Sequence, residues 1–467
     1  MRGFSFLRAL VSNERLKAIC GVMFAAAGLL VGSMANRAQA QSLYFVGPSG
    51  GISNGGSYSW DDSTSWGAAS STPGGAGGSW ASGDFARFYA GGTGSYTVTV
   101  NADEENTGLY YNAAGTLTIN SAGTGDDLDV ISTIQGFLVA SGGNLIINSP
   151  IVGNGGVAPE LTGSLYLYGI NTYSGGTALG DSGNTLTYFN SSSSFGTGGI
   201  TLNRTGNFST LLSTGGSAIT LANNFSTVAG NTGASTDLNF ASAASTPVIS
   251  SGSWTLGAVN FGLRNNGNST APLTLSGAIS GTGIITFSGA NGGATYITGS
   301  SATNSGFTGM ATIGGGAGEN AITVFLGAAS TLGSATGVTL TGGTLDPDGF
   351  TQSMTSAPLS MTASSTIDYE AGPSEIDFAK SSAASWTGTL NLANWDAIGG
   401  TTLLRFGTDA TGLTSAQLAD IEFDSNPSTL GEAQITSTGY VETPEPASLS
   451  LLALAGAGLI ARRRRRV

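Results

Sequence analysis

Short runs in which apolar residues alternate with hydroxyl-bearing ones recur along almost the whole chain, and each run stops at Gly, Asn or Ser. Examples are Tyr96 to Val100, Thr116 to Ile119, Leu145 to Ile147, Leu165 to Tyr168 and Ile200 to Leu202. Ile219 to Leu221, Ile284 to Phe287, Thr323 to Phe325 and Val338 to Leu340 continue the series. A two-residue period turns one face to a core and the other to water, which is the pattern of a half-buried strand. The stops tolerate the positive φ of tight turns, as at Asn266-Gly267 and Asn291-Gly292-Gly293. Glycine makes up 75 of 467 residues. Each interior helical Gly costs about 0.8–1 kcal/mol relative to Ala, so a mostly helical chain is excluded. With 12 prolines and no three-residue glycine period, collagen is excluded too.

Two stretches align with each other. Asn171-Thr-Tyr-Ser-Gly-Gly-Thr-Ala-Leu179 is followed by Phe195-Gly-Thr-Gly-Gly-Ile-Thr-Leu202, and Asn304-Ser-Gly-Phe-Thr-Gly-Met-Ala-Thr-Ile313 by Leu332-Gly-Ser-Ala-Thr-Gly-Val-Thr-Leu340. A unit this small cannot bury its own apolar face, so neighbouring units must stack. The reading is an all-β chain, a right-handed parallel β-solenoid (β-helix) with Val, Ile and Leu inward and Thr, Ser and Asn outward. An array of β-sandwiches is the alternative.

The missing residues limit the chemistry. There is no histidine, and the one cysteine, Cys20, lies in the N-terminal apolar stretch. Ser-His-Asp triads, thiol nucleophiles, His or Cys zinc sites and disulfides are excluded from the body. Catalysis would have to run on carboxylates, and the candidate clusters are Asp61-Asp62, Asp103-Glu104-Glu105, Asp126-Asp127-x-Asp129 and Asp346-x-Asp348. All sit among Gly, Asn and Ser, and adjacent strand residues face opposite sides, so they read as solvated turn acids. Asp126, Asp127 and Asp129 offer oxygen ligands of the kind Ca²⁺ takes, without a repeat motif to support them. The expectation is no enzyme, no catalytic residue, no metal site and no cofactor. The alternatives are a polysaccharide lyase or hydrolase and a carbohydrate-binding surface protein.

Both ends carry signals. Arg8, Arg15 and Lys17 precede a nearly uncharged run from Ala18 to Ala35, and Ala38-Gln39-Ala40 forms an A-x-A site. This predicts a signal peptide over 1–40, cut by signal peptidase between Ala40 and Gln41. At the other end Pro444, Glu445 and Pro446 precede an apolar run from Ala447 to Ala461, then Arg462, Arg463, Arg464, Arg465 and Arg466. Fifteen helical residues span about 22 Å at 1.5 Å each, which suffices as a short transmembrane helix if flanking arginines snorkel. The arginines stop transfer and stay cytoplasmic. Between the cleaved leader and the arginines, residues 41–461 hold five basic and 27 acidic residues, a net charge of −22. Such a body repels nucleic acid, which is excluded as a partner.

The order Pro-Glu-Pro, apolar helix, arginine cluster resembles the PEP-CTERM sorting signal over 443–467. The resemblance implies recognition by an exosortase at Pro444, Glu445 and Pro446, and export to the surface of a Gram-negative-type bacterium that makes exopolysaccharide. Thr443 stands where the common form has Val. The N-x-Y/F-S/T-G turns at Asn171 and Asn304, the Leu332 to Leu340 stretch, Gly342-Gly343-Thr344-Leu345-Asp346 and Leu275-Ser-Gly-Ala-Ile279 resemble autotransporter-associated β-strand repeats. That resemblance implies a passenger-like surface protein, but the sequence has no stretch of alternating aromatic strands for an outer-membrane barrel.

The organisation expected is therefore a leader (1–40), an N-terminal aromatic-rich cap (41–110), a solenoid (111–360), a C-terminal β cap (361–442) and the sorting signal (443–467). Trp60, Trp66, Trp80, Phe85, Phe88 and Tyr89 crowd the first of these, as a plug on the open end or as a sugar-binding platform. Thr414-Ser-Ala-Gln417 reads as a capping box, flanked by Leu413 and Leu418 as a hydrophobic staple, and predicts one short helix near 415–420. The function expected is a structural or adhesive protein of the cell surface or biofilm matrix. Its partners would be signal peptidase, exosortase and exopolysaccharide or other matrix components.

Overall fold

The computed structural model describes residues 42–443 except 48–51, 68–79, 89–93, 133–134, 161–162, 181–184, 203–207, 229–235, 244, 259, 267–269, 290–292, 301, 315–321, 371, 396–401 and 424–432. Gly267, Asn291 and Gly292 of the expected turns, and Tyr89, lie outside the described residues.

The chain winds into a parallel β-solenoid whose strands stack in ladders of 13, 13 and nine. Three consecutive coils show the plan. Phe208–Ser213, Ile219–Leu221 and Phe225–Thr227 are followed by Thr236–Ser242, Val248–Ser250 and Trp254–Leu256, then by Phe261–Asn265, Leu273–Leu275 and Ile279–Gly281. Each coil lays one strand in each ladder, in parallel register with the coil before. Each of the nine sequence runs falls on a strand, with Tyr168 one residue past the end of Ser164–Leu167. Alternation is the cause: Tyr96, Val98 and Val100 point in while Thr97 and Thr99 are half-exposed.

Like residues stack on like. Leu117, Leu145 and Leu165 are register partners and all are buried. Phe225 and Trp254 stack with ring centroids 4.2 Å apart and planes 3° from parallel. The interior is one continuous apolar cluster running from Leu43 to Val441. At one corner the coils pass so closely that a Cβ on Gly277 would collide with the carbonyl oxygen of Gly252, and one on Gly252 with that of Asn223. Glycine is required there for backbone approach.

The ends differ from the middle. Ser42–Phe45 pairs with Trp66–Gly67 antiparallel, and the last hairpin, Gln434–Ile435 with Val441–Glu442, is antiparallel too. Trp60, Trp66, Phe45 and Phe88 fill the first coil, all buried. Trp80 packs on Trp66 with centroids 4.8 Å apart, and the Trp66 indole donates to the Trp60 carbonyl at 2.6 Å. Phe85 turns outward, where Arg87 lies 5.1 Å from its ring centroid and also contacts Tyr44 and Tyr110. Trp60 and Trp66 are 0% exposed and present no platform, whereas Trp80 and Phe85 are half-buried.

The helix is Ser415–Ala419, with the Thr414–Gln417 capping box formed and Leu413 buried. Among the described residues, no helix is long and apolar enough to cross a membrane. The leader with Ala38, Ala40 and Gln41, and the run Ala447 to Ala461, lie outside the described residues.

Candidate functional site

Charged side chains gather at several places along the coil. The first is the C-terminal closure. Asp377 and Arg405 are register partners on adjacent coils, and Arg405 grips both carboxylate oxygens, Nε to Oδ1 at 2.7 Å and Nη2 to Oδ2 at 2.6 Å. The hairpin lies across this pair. Tyr440 covers the guanidinium at 5.4 Å and donates its hydroxyl to Glu375 Oε1 at 2.8 Å. Arg405 and Tyr440 form an antiparallel bridge, and the Phe406 N–H donates to the Gly439 carbonyl at 2.9 Å. The strand Val441–Glu442 is thereby held on the last coil, directly before Pro444, Glu445 and Pro446. Those three residues and Arg462, Arg463, Arg464, Arg465 and Arg466 lie outside the described residues.

The second region is a groove of about 410 Å³ beside the aromatic cluster, lined by Asp61, Trp80, Asp103, Glu104 and Glu105 with Ser63 and Ser82. The expectation of solvated turn acids is corrected here. Glu104 begins the strand Glu104–Tyr111 and is only 9% exposed. Burial, a hydrogen bond to Asp61 and the charges of Asp61 and Asp103 push its carboxyl up to about 8. Asp127 and Asp129 are raised as well, by burial first and by the charge of Asp103 second. Glu105 and Asp129 are register partners, and the Ser82 hydroxyl donates to Glu105. Stacking coils is what brings three sequence-separated clusters together. Further along the solenoid, Asp346 closes the strand Thr344–Asp346 and is 2% exposed. Burial and the charges of Asp368, Asp348 and Glu370 raise it to about 6, although its bond from the Asp348 N–H pulls the other way.

Among the described residues, no group of three or more carboxylates, imidazoles or thiols is placed to hold a metal ion. Asp126, Asp127 and Asp129 form no such group. The Arg405–Asp377 grip and the Asp61–Glu104 contact had no signature in the sequence, because each joins residues from different coils.

The chain is thus a parallel β-solenoid with an aromatic cluster filling its first coil and an antiparallel hairpin against its last. Residues 442–466 match the family model described as the PEP-CTERM protein-sorting motif. That signal implies exosortase-dependent export to the bacterial cell envelope or surface. No curated protein and no solved structure matches the chain.

Proposed function

We propose that the chain is an exported, non-catalytic scaffold of the cell surface or extracellular matrix, with a structural or adhesive role in a biofilm. The observation that carries this reading is the junction at Glu442, where the sorting motif begins within the strand that closes the solenoid. In this reading signal peptidase removes 1–40, the run Ala447 to Ala461 spans the membrane during export, and the five arginines remain cytoplasmic. An exosortase then acts near Pro444, Glu445 and Pro446. The host is of Gram-negative type and its exopolysaccharide is the surrounding partner. The coils wind right-handed, as parallel crossovers do in about 98% of cases, and the Asn171 and Asn304 segments are kin to autotransporter-associated repeats.

Replacing Pro444, Glu445 and Pro446 by alanine tests the sorting claim by intact mass and cell fractionation. The unaltered protein should lose its tail and reach the surface, and the triple variant should keep the tail and stay with the membrane. Identical processing of the two would sink the reading.

Polysaccharide cleavage is the second reading, favoured by a neutral carboxyl, Glu104, beside Asp61 in a groove with a tryptophan. The geometry weighs against it. Retaining glycosidases hold their carboxyls about 5 Å apart and inverting ones about 6.5–9.5 Å apart, flanking the scissile bond, whereas Asp61 and Glu104 lie close enough to share a proton. Glu104→Gln should leave a polysaccharide panel as intact as the parent protein does.

A further inference from the structure

The outer face of one 13-stranded ladder departs from the expected Thr, Ser and Asn surface over four successive strands: Asn144–Ile147, Ser164–Leu167, Thr185–Phe189 and Phe208–Ser213. In Thr185–Phe189 the usual arrangement is inverted. Thr185 and Thr187 are buried inward, while Leu186 and Tyr188 are half-exposed outward. The next strand buries Ser209 and Ser213 and leaves Leu212 outward. The hydroxyls of Thr187 and Ser213 are buried without a hydrogen-bond partner. An unpaired buried hydroxyl costs stability, and exposed Leu and Tyr give up burial. Local rules broken in this way mark surfaces kept for function.

Register aligns Ile146, Tyr166, Tyr188 and Leu212 into one outward row. Tyr166 and Tyr188 stack with centroids 4.0 Å apart and planes 8° from parallel, and Tyr168 meets Tyr166 edge-on at 5.6 Å. None of the four strands contains a charged residue.

We propose that this face is the docking surface for a second copy of the chain, packed about a two-fold axis that passes between Tyr166 and Tyr188. Charge permits it. A body of net −22 repels its own copy, and these strands place no charge in the contact; other ladder faces are as free of charge, but this one carries the stacked tyrosine row. Order selects it. A two-fold interface must be self-complementary, and the row Ile-Tyr-Tyr-Leu reads nearly the same in both directions, setting Ile146 against Leu212 of the other copy. The stacked rings turn their edges outward, which suits interdigitation with a second such row better than stacking of a sugar ring. Four strands about 4.8 Å apart and about 17 Å long give roughly 300 Å² per copy. That lies below a standard interface, so association is weak and suits a crowded cell surface.

Sedimentation equilibrium on the chain purified from its producing cell, at concentrations up to about 100 μM, tests this. A monomer–dimer equilibrium is expected. Tyr188→Glu and Leu212→Glu should each weaken it at least tenfold. Thr312→Glu, outward on the same ladder but beyond the patch, should leave it unchanged. The double variant Ile146→Cys, Leu212→Cys should form an intermolecular disulfide on oxidation. A parent protein that stays monomeric at that concentration, including one that binds a neutral polysaccharide on this face instead, overturns the proposal. So does dimerisation that ignores both glutamate variants while circular dichroism shows them folded.

Discussion

Asn304 reaches back one coil to Ile279, its side-chain oxygen accepting the backbone N–H at 2.9 Å. Its amide nitrogen meanwhile donates to the carbonyls of Gly299 at 2.9 Å and, on the next coil, Thr331 at 3.1 Å. Asn171 makes the same link, accepting from Ile151 N–H at 2.8 Å and donating to the Ser194 carbonyl at 2.7 Å. Both open the aligned sequence segments, and each is followed by a buried ring, Tyr173 or Phe307. The repeat asparagine is an amide staple joining three coils where the strand has a ladder partner on the coil before but none on the coil after. Gln352 does similar work later, accepting from Thr331 N–H at 2.9 Å.

Asn304→Ala should destabilise the solenoid by about 2–4 kcal/mol, because buried backbone groups left unpaired cost about 1–3 kcal/mol each. Asn304→Asp should cost as much, since a carboxylate accepts but cannot donate to two carbonyls. Urea unfolding measures both. A loss under about 0.5 kcal/mol for the alanine variant would remove the staple from the account.

Trp66→Ala should cost about 3–5 kcal/mol by opening a cavity in the first coil. It should also collapse the near-ultraviolet circular dichroism from the Trp60, Trp66 and Trp80 cluster. Any glycan binding the protein shows should survive Trp60→Phe, because that ring is fully buried. Loss of such binding in a folded variant would restore the platform reading.

Stability should fall as pH rises from about 4.5 to about 8. Glu104 holds its proton in the folded state up to about 8, against an ordinary value of 4.5. In that window the unfolded chain binds fewer protons, so raising pH favours unfolding. Asp346 adds a shorter window, from 3.8 to about 6. Glu104→Gln should flatten the upper part of the profile in thermal melts between pH 5 and pH 9. An unchanged slope in that variant would refute the assignment.

Arg405→Lys should cost about 1–2 kcal/mol, because lysine cannot make the two parallel bonds to Asp377 or lie flat on Tyr440. The loss should appear as faster protease cutting in the hairpin ahead of the sorting motif, with the aromatic cluster still protected. Equal protection of hairpin and cluster would show that the pair does not hold the closure.

Much of the architecture was legible residue by residue. The strand at Ile219–Leu221 is written in an alternation three residues long, and the helix at Ser415–Ala419 in a capping box that forms as read. The two aligned asparagines announced a repeated task without revealing it. The acids misled: Glu104 and Asp346 read as turn residues and are buried at strand ends.

By itself, then, the sequence determined the β character of the chain, its coiling and the address at its C-terminus. Those rest on glycine content, two-residue alternation and a contiguous motif, all properties of neighbouring residues. Only the tertiary structure decided which coils face each other in register, and so which acids meet, which amide staples which corner and which face turns tyrosine outward. Register depends on the length of every intervening corner, here different from one coil to the next. A difference of one residue moves a side chain to the opposite face, and no local pattern records that sum.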